Sequence, residues 1–211
     1  MATHEHPIFT RVYGLISRME EGGSVGRARS QAAEGLSGRV LIVGLGPGLD
    51  LEHMPNAVRE VVALEPSSSM RASAAGRIAE ARERGIEVEV IDGVAEDLPL
   101  PDASVDGVLF AYVLCTIQDP DLAVQEAVRV LRPGGHVAVM EHVRAADGTF
   151  TRLVQRGLSR IWPLMGGGCH CDRDTRAVLE RAGLDTRGVE DINLVGIPPV
   201  NSTILGDAFP R

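Results

Sequence analysis

Five short apolar segments, separated by longer helical patterns, dominate the chain between residues 39 and 141. Each segment is almost entirely apolar rather than alternating, which is typical of strands that a parallel sheet buries on both faces. Strand–helix–strand repetition requires right-handed crossovers, so the pattern predicts a doubly wound α/β sheet with helices on both faces. The five predicted strands are Arg39–Val43, Glu60–Leu64, Ile86–Ile91, Val105–Phe110 and His136–Glu141.

The helices between these strands carry recognisable end signals. Ser67 is placed to cap a helix that Gly85 ends. Asp119-Pro120 has the composition of an N-cap and a first helical residue. The RPGG segment Arg132–Gly135 predicts a turn between that helix and the fifth strand.

After residue 141 the pattern changes and the predicted elements are weaker. We expect one amphipathic helix over residues 150–164 and another that Asp172 or Asp174 opens. Two further strands are predicted near Asp185–Ile192 and Ser202–Ala208.

Composition limits the classes of partner. The 211 residues fit one domain, and 44% hydrophobic with 24% charged residues is ordinary for a globular fold. A net charge of −8 and 3% aromatic residues argue against a nucleic-acid partner. No apolar run reaches the roughly 20 residues of a membrane span, and no secretory signal is evident. Three cysteines, an odd number, indicate free thiols and a reducing, cytoplasmic setting.

A glycine-rich turn follows the first strand, with Gly44, Gly46 and Gly48 at alternate positions. Open parallel sheets bind ligands at the carboxyl ends of their strands. Glycines there allow a tight turn and a close approach of a ligand to the backbone. The spacing G-x-G-x-G differs from the G-x-G-x-x-G of dinucleotide sites, and a glycine turn without a ligand is the alternative.

An acidic residue, Glu65, follows the second strand, 21 positions after Gly44. A carboxylate there can accept hydrogen bonds from both ribose hydroxyls and would repel a 2′-phosphate. An exposed charge at a strand end is the alternative for Glu65 alone. The glycine turn and Glu65 together predict a crevice that binds one adenosine.

The loops after the third and fourth strands face the same edge of the sheet. The segment Asp92–Pro99 can offer a backbone N–H to an adenine edge, or it is a plain polar loop. After the fourth strand, backbone carbonyls near Tyr112 can face a cationic cofactor. The side chains of Val113, Leu114 and Cys115 fit core packing as well.

Four segments resemble the class I S-adenosylmethionine-dependent methyltransferases: VLIVGLGPG, VVALEPS, GVAEDLPLPDASVDGVLF and EAVRVLRPGGHVAVMEH. In the tail, VLCTIQDP, EHVRAADGTFTRLVQ and GGCHCDRDTRAVLERAGL resemble the small-molecule branch that includes the thiol methyltransferases. The resemblance covers roughly residues 36–185. It implies a Rossmann-like, seven-stranded, mainly parallel sheet whose last strand is antiparallel and inserted beside the fifth.

The same resemblance implies the reaction. A methyl group would pass from S-adenosylmethionine to the sulfur, oxygen or nitrogen of a small acceptor, with S-adenosylhomocysteine as product. A thiol or a small apolar metabolite is the favoured acceptor. Two rivals are a non-catalytic S-adenosylmethionine-binding module and an NAD-dependent oxidoreductase. The glycine spacing and the lack of a recognisable Tyr/Lys pair count against the oxidoreductase.

Cofactor-binding roles follow from the resemblance position by position. The three glycines would line the methionine and ribose, and Glu65 would bind the ribose hydroxyls. The other implied cofactor residues are Pro66, Met70, Val94, Ala95, Glu96 and Ala111. Two positions depart from the pattern. Val94 stands where many relatives have an Asp that bonds the adenine amine, and Pro47 removes one backbone N–H from the glycine turn.

Glu141 and His142 end the fifth strand and are the candidate catalytic residues. Our hypothesis is that one of them orients or deprotonates the acceptor. The alternative is that Glu141 caps a neighbouring loop and His142 fills a polar gap. The expected acceptor pocket is lined by Tyr13, Tyr112, His142, Trp162, Cys169 and His170.

A Cys-His-Cys triplet, Cys169–Cys171, suggests a metal site at first sight. Zinc sites usually take a second pair of ligands from elsewhere in the chain, and the sequence has no second Cys/His pair. We therefore predict no metal, and the triplet is expected to be either a wall of the acceptor pocket or a plain loop.

The remaining expectations concern surfaces. Arg152, Arg156 and Arg160 share one helix face, which is a solvated face with ion pairs or, alternatively, a contact for an anionic substrate or a membrane. Helices over Pro7–Glu20 and Ser24–Glu34 are expected to cover the mouth of the sheet. We expect residues 1–35 to be a helical lid segment, completed by 144–171, and residues 36–211 to be the methyltransferase domain. A monomer and a dimer both remain possible.

Overall fold

The computed structural model describes residues 23–194, 196 and 198–211, and these form one seven-stranded sheet. The strands are β1 (Gly38–Val43), β2 (Val58–Leu64), β3 (Glu87–Ile91), β4 (Val105–Ala111), β5 (Leu131–His142), β6 (Leu184–Asn193) and β7 (Ser202–Pro210). Their spatial order is β3–β2–β1–β4–β5–β7–β6. Neighbours from β3 to β5 pair in parallel, whereas β7 is antiparallel to both β5 and β6. The predicted doubly wound, mainly parallel sheet with an antiparallel last strand is confirmed.

Helices cover both faces of this sheet. They are α1 (Ser24–Ala33), α2 (Leu49–Glu52), α3 (Ser68–Ser73), α4 (Ala75–Glu83), α5 (Pro120–Val130), α6 (Phe150–Leu158), α7 (Trp162–Met165) and α8 (Thr175–Arg181). Among the described residues, none of these helices has both the length and the apolarity that crossing a bilayer requires.

The central strands supply two hydrophobic cores, one on each face. In β1, Leu41 and Val43 belong to the core shared with α5 and α8, while Val40 and Ile42 belong to the core shared with α1 and α4. Successive side chains of a strand point to opposite faces, so a strand covered on both sides must be apolar at every position. This explains why the central strand segments lack polar alternation.

The strand register brings the functional loops together. Val43 at the end of β1 pairs with Leu64 of β2 and Phe110 of β4, and Leu64 pairs with Ile91 of β3. The carboxyl ends of these strands therefore lie at one edge of the sheet. Met140 of β5 continues the row beside Ala111, so Glu141 and His142 extend from the same edge.

The expectation of one helix over residues 150–164 is wrong. Helix α6 ends at Leu158, and a turn leads to the short helix α7, which begins at Trp162. Pro163 explains the break, because a proline lacks the N–H of a helical bond and its ring clashes with the carbonyl four residues earlier. Proline is tolerated only in the first turn of a new helix, which is where Pro163 lies.

The apolar side chains of this segment are not its buried ones. Phe150 and Ile161 are 72% and 53% exposed, and the buried side chain of α6 is Gln155.

The other predicted helix ends are confirmed, with small shifts in residue number. Ser67 accepts the Met70 N–H, Asp119 accepts the Leu122 N–H, and Asp174 rather than Asp172 opens α8. The helix from Ser67 to Gly85 divides in two at Ala74.

The turn predicted at residues 132–135 lies inside β5. The strand starts at Leu131, and the register against β4 shifts between Leu131 and His136, so the RPGG segment forms a bulge.

The N-terminal part of the expected lid is described only from residue 23. Helix α1 packs on the sheet through Ala28, Ala32 and Ala33. The predicted helix Pro7–Glu20 and the pocket residue Tyr13 lie outside the described residues.

Candidate active site

The glycine turn after β1 is fixed by the neighbouring strand. The N–H groups of Gly44 and Leu45 both donate to the carbonyl oxygen of Leu64, at 2.9 and 3.0 Å. Gly44 and Gly46 both adopt positive φ, at 74° and 53°. A Cβ on Gly44 would lie 2.4 Å from Val113 Cγ2, whereas a Cβ on Gly46 would meet no atom within 4 Å. Gly44 is therefore required by packing, and Gly46 borders open space.

Glu65 joins the loops that follow β1 and β2. Its Oε2 accepts the N–H of Gly46 at 2.8 Å, and its Oε1 accepts the N–H of Ser67 at 2.9 Å. The residue is 7% exposed, so its carboxylate is held at the crevice rather than turned to solvent. Of the two possibilities for Glu65, an exposed charge at the strand end is thus contradicted.

The turn and the carboxylate fit the adenosyl part of a cofactor. The open space over Gly46 gives room for a ligand against the backbone, and Glu65 supplies oxygens beside that space. Pro66, Met70 and Ala111 are half-buried around the same strand ends.

The loop after β3 contributes less through its side chains than the resemblance implies. Ala95 is buried in the core, and Glu96 accepts the Asp119 N–H at 3.2 Å. Val94 is 36% exposed, so its side chain is accessible from this loop.

Glu141 holds the turn that follows β4. It is fully buried, and its Oε1 accepts the N–H groups of Val113 and Leu114 at 2.7 and 2.8 Å. Its Oε2 accepts the Cys115 N–H at 3.4 Å. Burial raises the pKa of Glu141 to about 7, although the three amides oppose the rise. This geometry favours the loop-capping alternative, in which Glu141 positions the turn and does not contact the acceptor.

His142 lies beside this turn and meets two thiols. Its ring stacks on Tyr112 with centroids 4.1 Å apart. Its Nδ1 lies 3.9 Å from Cys115 Sγ and 3.7 Å from Cys169 Sγ. We call Cys115, His142 and Cys169 the thiol–imidazole cluster. Cys115 comes from the β4 turn, His142 from the end of β5, and Cys169 from the loop after α7, so three distant segments build it.

The two thiols of the cluster differ electrostatically. A hydrogen bond between them, followed by burial, raises the pKa of Cys115. The same bond and the neighbouring His142 lower the pKa of Cys169, and the indole of Trp162 acts in the same direction. Cys171 lies outside the cluster, and burial raises its thiol pKa to about 12.

Three polar residues with contacts around the site were not predicted from the sequence. Gln155 is fully buried. Its Nε2 donates to the carbonyls of Val143, Cys171 and Pro199, and its Oε1 accepts the Ala145 N–H, all between 2.9 and 3.1 Å. Arg173 donates to the carbonyls of Leu114 and Ile117. Arg29 of α1 pairs with Asp50 and lies 5.6 Å from the centre of the Tyr112 ring. A polar residue on the buried face of α6 was the one available signal, and it pointed to Gln155.

The other two described residues that were predicted to line the pocket have different environments. Trp162 packs against the buried cysteines. His170 is exposed, and it contributes its backbone N–H, which donates to Cys115 O at 2.7 Å.

The arginine face of α6 is largely neutralised. Asp147 pairs with Arg144, Arg152 and Arg156 at 3.0 to 3.4 Å. This arrangement matches the solvated face with ion pairs.

Comparison with known proteins agrees with this geometry. The family described as Methyltransferase domain matches residues 41–139. The thiol S-methyltransferase TMT1A of Homo sapiens is 32% identical over 164 residues, covering 77% of this chain and 67% of the relative. The chain belongs to the S-adenosylmethionine-dependent methyltransferase family. The chain is thus an enzyme whose cofactor is S-adenosylmethionine and whose acceptors are small molecules.

One further relative supports the family, and one solved structure supports the fold. The demethylmenaquinone methyltransferase of Thermus thermophilus is 34% identical, covering 74% of this chain and 72% of the relative. A Thermotoga maritima structure described as a possible histamine N-methyltransferase has a TM-score of 0.67 at 22% identity, covering 98% of this chain and all of that one, and it supports the fold. Against the TMT1B proteins of rat, mouse and human, the chain spans 58%, 62% and 61% of their length.

Proposed function

We propose that this methyltransferase transfers its methyl group to the sulfur of a small, apolar thiol. The observation that carries the proposal is the composition of the wall at the ends of β4 and β5. Tyr112, Trp162 and the thiol–imidazole cluster lie together there and make this part of the molecule aromatic and rich in sulfur. The nearby carboxylate, Glu141, is bound to backbone amides. Such a wall suits an apolar, uncharged acceptor better than a cationic amine or a polyol.

The relatives support the same acceptor. Four of them, TMT1A and three TMT1B proteins, are named thiol S-methyltransferases at 32–34% identity. The demethylmenaquinone methyltransferase points to an aromatic ring as the competing acceptor, which the test below includes as a phenol.

S-adenosylmethionine supplies, when bound, a methyl group already activated on a sulfonium. The protein must then bind, align and exclude water, and positioning of this kind can supply roughly 7–11 kcal/mol of barrier reduction. Glu65 and the glycine turn hold the nucleoside end of the crevice. His142, fixed by stacking on Tyr112, is the polar side chain that we place beside the acceptor. Glu141 keeps the β4 turn in place.

We also propose that residues 1–35 and 144–171 act as a lid over the acceptor. Exposed apolar side chains on α6 and α7 support this role, because such a surface suits a covering segment or an apolar ligand. Between 53% and 84% of the surface is exposed in Phe150, Leu153, Ile161, Leu164 and Met165.

A reducing, cytoplasmic setting is proposed from the three unpaired cysteines.

The acceptor is tested with thiophenol, phenol and aniline, which differ in the nucleophilic atom alone. Release of S-adenosylhomocysteine is measured for each, with the enzyme-free rate subtracted. We expect thiophenol to be methylated at least tenfold faster than the other two. Faster turnover of phenol or aniline, or no turnover of any, would overturn the proposal.

Two histidines of β5 separate site effects from general effects. His142→Ala should lower kcat/KM for thiophenol at least tenfold with unchanged affinity for S-adenosylhomocysteine. His136→Ala is the matched control, because His136 lies six residues before His142 in β5, beside Phe209, and should leave both quantities unchanged.

A further inference from the structure

The thiol–imidazole cluster has the donor atoms of a metal centre. Cys115 Sγ, Cys169 Sγ and His142 Nδ1 all lie within 4.8 Å of one another. Both cysteines are buried, at 1% and 7% exposed, and His142 is half-buried. Thiolate sulfur with imidazole nitrogen is the ligand chemistry of zinc.

The distances fit a bound ion. Zn–S bonds of about 2.3 Å and Zn–N bonds of about 2.0 Å place sulfur and nitrogen about 3.5 Å apart at tetrahedral angles and about 3.7 Å apart at trigonal angles. The two measured separations from His142 Nδ1 are 3.7 and 3.9 Å. One ring nitrogen thus faces both sulfurs, and small side-chain shifts suffice to close the site.

The surroundings hold the ligands in place. The Cys115 backbone is fixed by its N–H, which donates to Glu141, and by its carbonyl, which accepts from His170. Tyr112 fixes the plane of the His142 ring. The loop that carries Cys169 is tied to the same turn, because the His170 N–H and the Arg173 guanidinium both donate to it. Such outer support is characteristic of metal ligands.

Charge balance also favours a divalent ion. Zn²⁺ with two thiolates and a neutral imidazole carries no net charge, so the centre avoids the cost of an isolated buried charge. Three protein ligands leave a fourth position for a small molecule.

We propose that Cys115, His142 and Cys169 bind one zinc ion in a Cys₂His site. The prediction of no metal is wrong if this site forms, because it rested on the lack of a second Cys/His pair in the sequence. The fold supplies that pair from the turn after β4 and from the end of β5, 27 residues apart. Of the triplet Cys169–Cys171, only the first residue takes part. The zinc site and the proposed acceptor are separate claims, because metal binding is measured without any acceptor.

The test is metal binding by the reduced, metal-free protein. We expect one Zn²⁺ per chain, and with Co²⁺ a sulfur-to-cobalt charge-transfer band of the strength given by two thiolates. X-ray absorption of the zinc form should show two sulfurs at about 2.3 Å and one nitrogen at about 2.0 Å. Sub-stoichiometric metal without that band would overturn the site.

Variants identify the ligands. Cys115→Ser and Cys169→Ser should each weaken Zn²⁺ binding at least a hundredfold, and His142→Gln at least tenfold. Cys171→Ser is the matched control, because Cys171 belongs to the same buried group of cysteines but not to the cluster, and it should bind zinc as the wild type does.

Folding of each metal-free variant is checked by circular dichroism and thermal melting. If a buried cysteine variant fails to fold, the half-buried His142→Gln still decides. Equal zinc affinity in wild type and a folded His142→Gln, or equal loss in Cys171→Ser, would contradict the proposal.

Discussion

Two carboxylates of the site, Glu65 and Glu141, act through backbone amides. Glu65 accepts N–H groups from Gly46 after β1 and from Ser67 in its own loop. Glu141 accepts them from the turn after β4. Hydrogen bonds to charged groups contribute roughly 1.5–3 kcal/mol each. Glu65 faces the crevice, so its carboxylate can also bind a ligand. Glu141 is enclosed, so its carboxylate only holds the loop in position.

Glu65→Ala should weaken binding of S-adenosylhomocysteine by about 10- to 150-fold, because the equivalent of one charge-assisted bond to the ribose is lost. Isothermal titration calorimetry measures the change. Glu87→Ala is the control, since Glu87 is an exposed residue of β3, and its affinity should equal that of the wild type. Equal affinities for Glu65→Ala and Glu87→Ala would contradict the role of Glu65.

Substitution by alanine at the first two glycines of the turn should have different effects on stability and on cofactor binding. Gly44→Ala combines positive φ with a contact to Val113, and should lower the free energy of unfolding by about 3 kcal/mol. Gly46→Ala should lower it by about 1–2 kcal/mol, yet weaken cofactor binding at least tenfold.

Denaturant unfolding and calorimetry separate the two effects. The double variant Gly44→Ala/Val113→Ala should recover part of the lost stability, because the contacted methyl group is removed. A Gly46→Ala protein with full cofactor affinity would refute the open space over Gly46 as part of the site.

At the scale of elements, single polar side chains tie several segments together. Gln155 of α6 links the ends of β5, the loop at Cys171 and the chain at Pro199. Asp106 of β4 links β1 and β5, because its Oδ2 accepts the Arg39 N–H at 2.7 Å and its Oδ1 pairs with Arg132 at 2.7 Å. Both residues work by fixing the relative positions of elements.

Gln155→Leu should lower the free energy of unfolding by about 3 kcal/mol or more, because several buried backbone groups lose their partner. For a chain of this length the melting temperature should fall by about 6–12 °C. Gln125→Leu on the exposed face of α5 is the control and should change the melting temperature little. Similar melting curves for the two variants would exclude the linking role of Gln155.

Asp106 makes stability depend on pH. Burial raises its pKa, but the Arg39 amide and Arg132 outweigh this and lower the pKa overall. A carboxyl with a lowered folded-state pKa stabilises the fold above its unfolded pKa of 3.8 and loses that contribution as the pH falls through the folded value.

Asp106→Asn should therefore cost about 1 kcal/mol at pH 7, since the group is partly exposed, and the difference from wild type should shrink below about pH 4. Urea unfolding between pH 7 and pH 3 measures this. Asp97→Asn, an exposed residue, should show no such pH-dependent difference. A difference for Asp106→Asn that stays constant with pH would contradict the assignment.

For the whole molecule, the sheet and the loops that meet at its edge follow from sequence, whereas the contacts around His142 do not. Apolar strand segments and the Gly44–Glu65 spacing are local signals, and they predicted β1, β2 and the crevice between them. The thiol–imidazole cluster joins residues 27 or more positions apart, and no local pattern encodes such a contact. The break at Pro163 and the buried Gln155 were visible in the sequence but were outweighed by the apolar periodicity of residues 150–164.

The lid proposal makes a prediction at this scale. Replacing Leu164 and Met165, 84% and 72% exposed, by serine should change the free energy of unfolding by less than about 0.5 kcal/mol. The KM for thiophenol should rise severalfold, because the apolar cover of the acceptor is lost. Phe209→Ser, an exposed apolar residue of β7, should leave that KM unchanged. An unchanged KM in the Leu164/Met165 variant would exclude a covering role for α7.

The turn at residues 113–117 receives an anionic side chain on its amide side and a cationic one on its carbonyl side, from Glu141 and Arg173. Two residues from outside the turn thus fix its backbone, while its own Leu114 and Cys115 are buried. The position of Cys115, and with it the thiol–imidazole cluster, therefore depends on β5 and on the loop after α7 as well as on the turn itself. A substitution at Glu141 or Arg173 would displace the cluster without altering any of its three side chains.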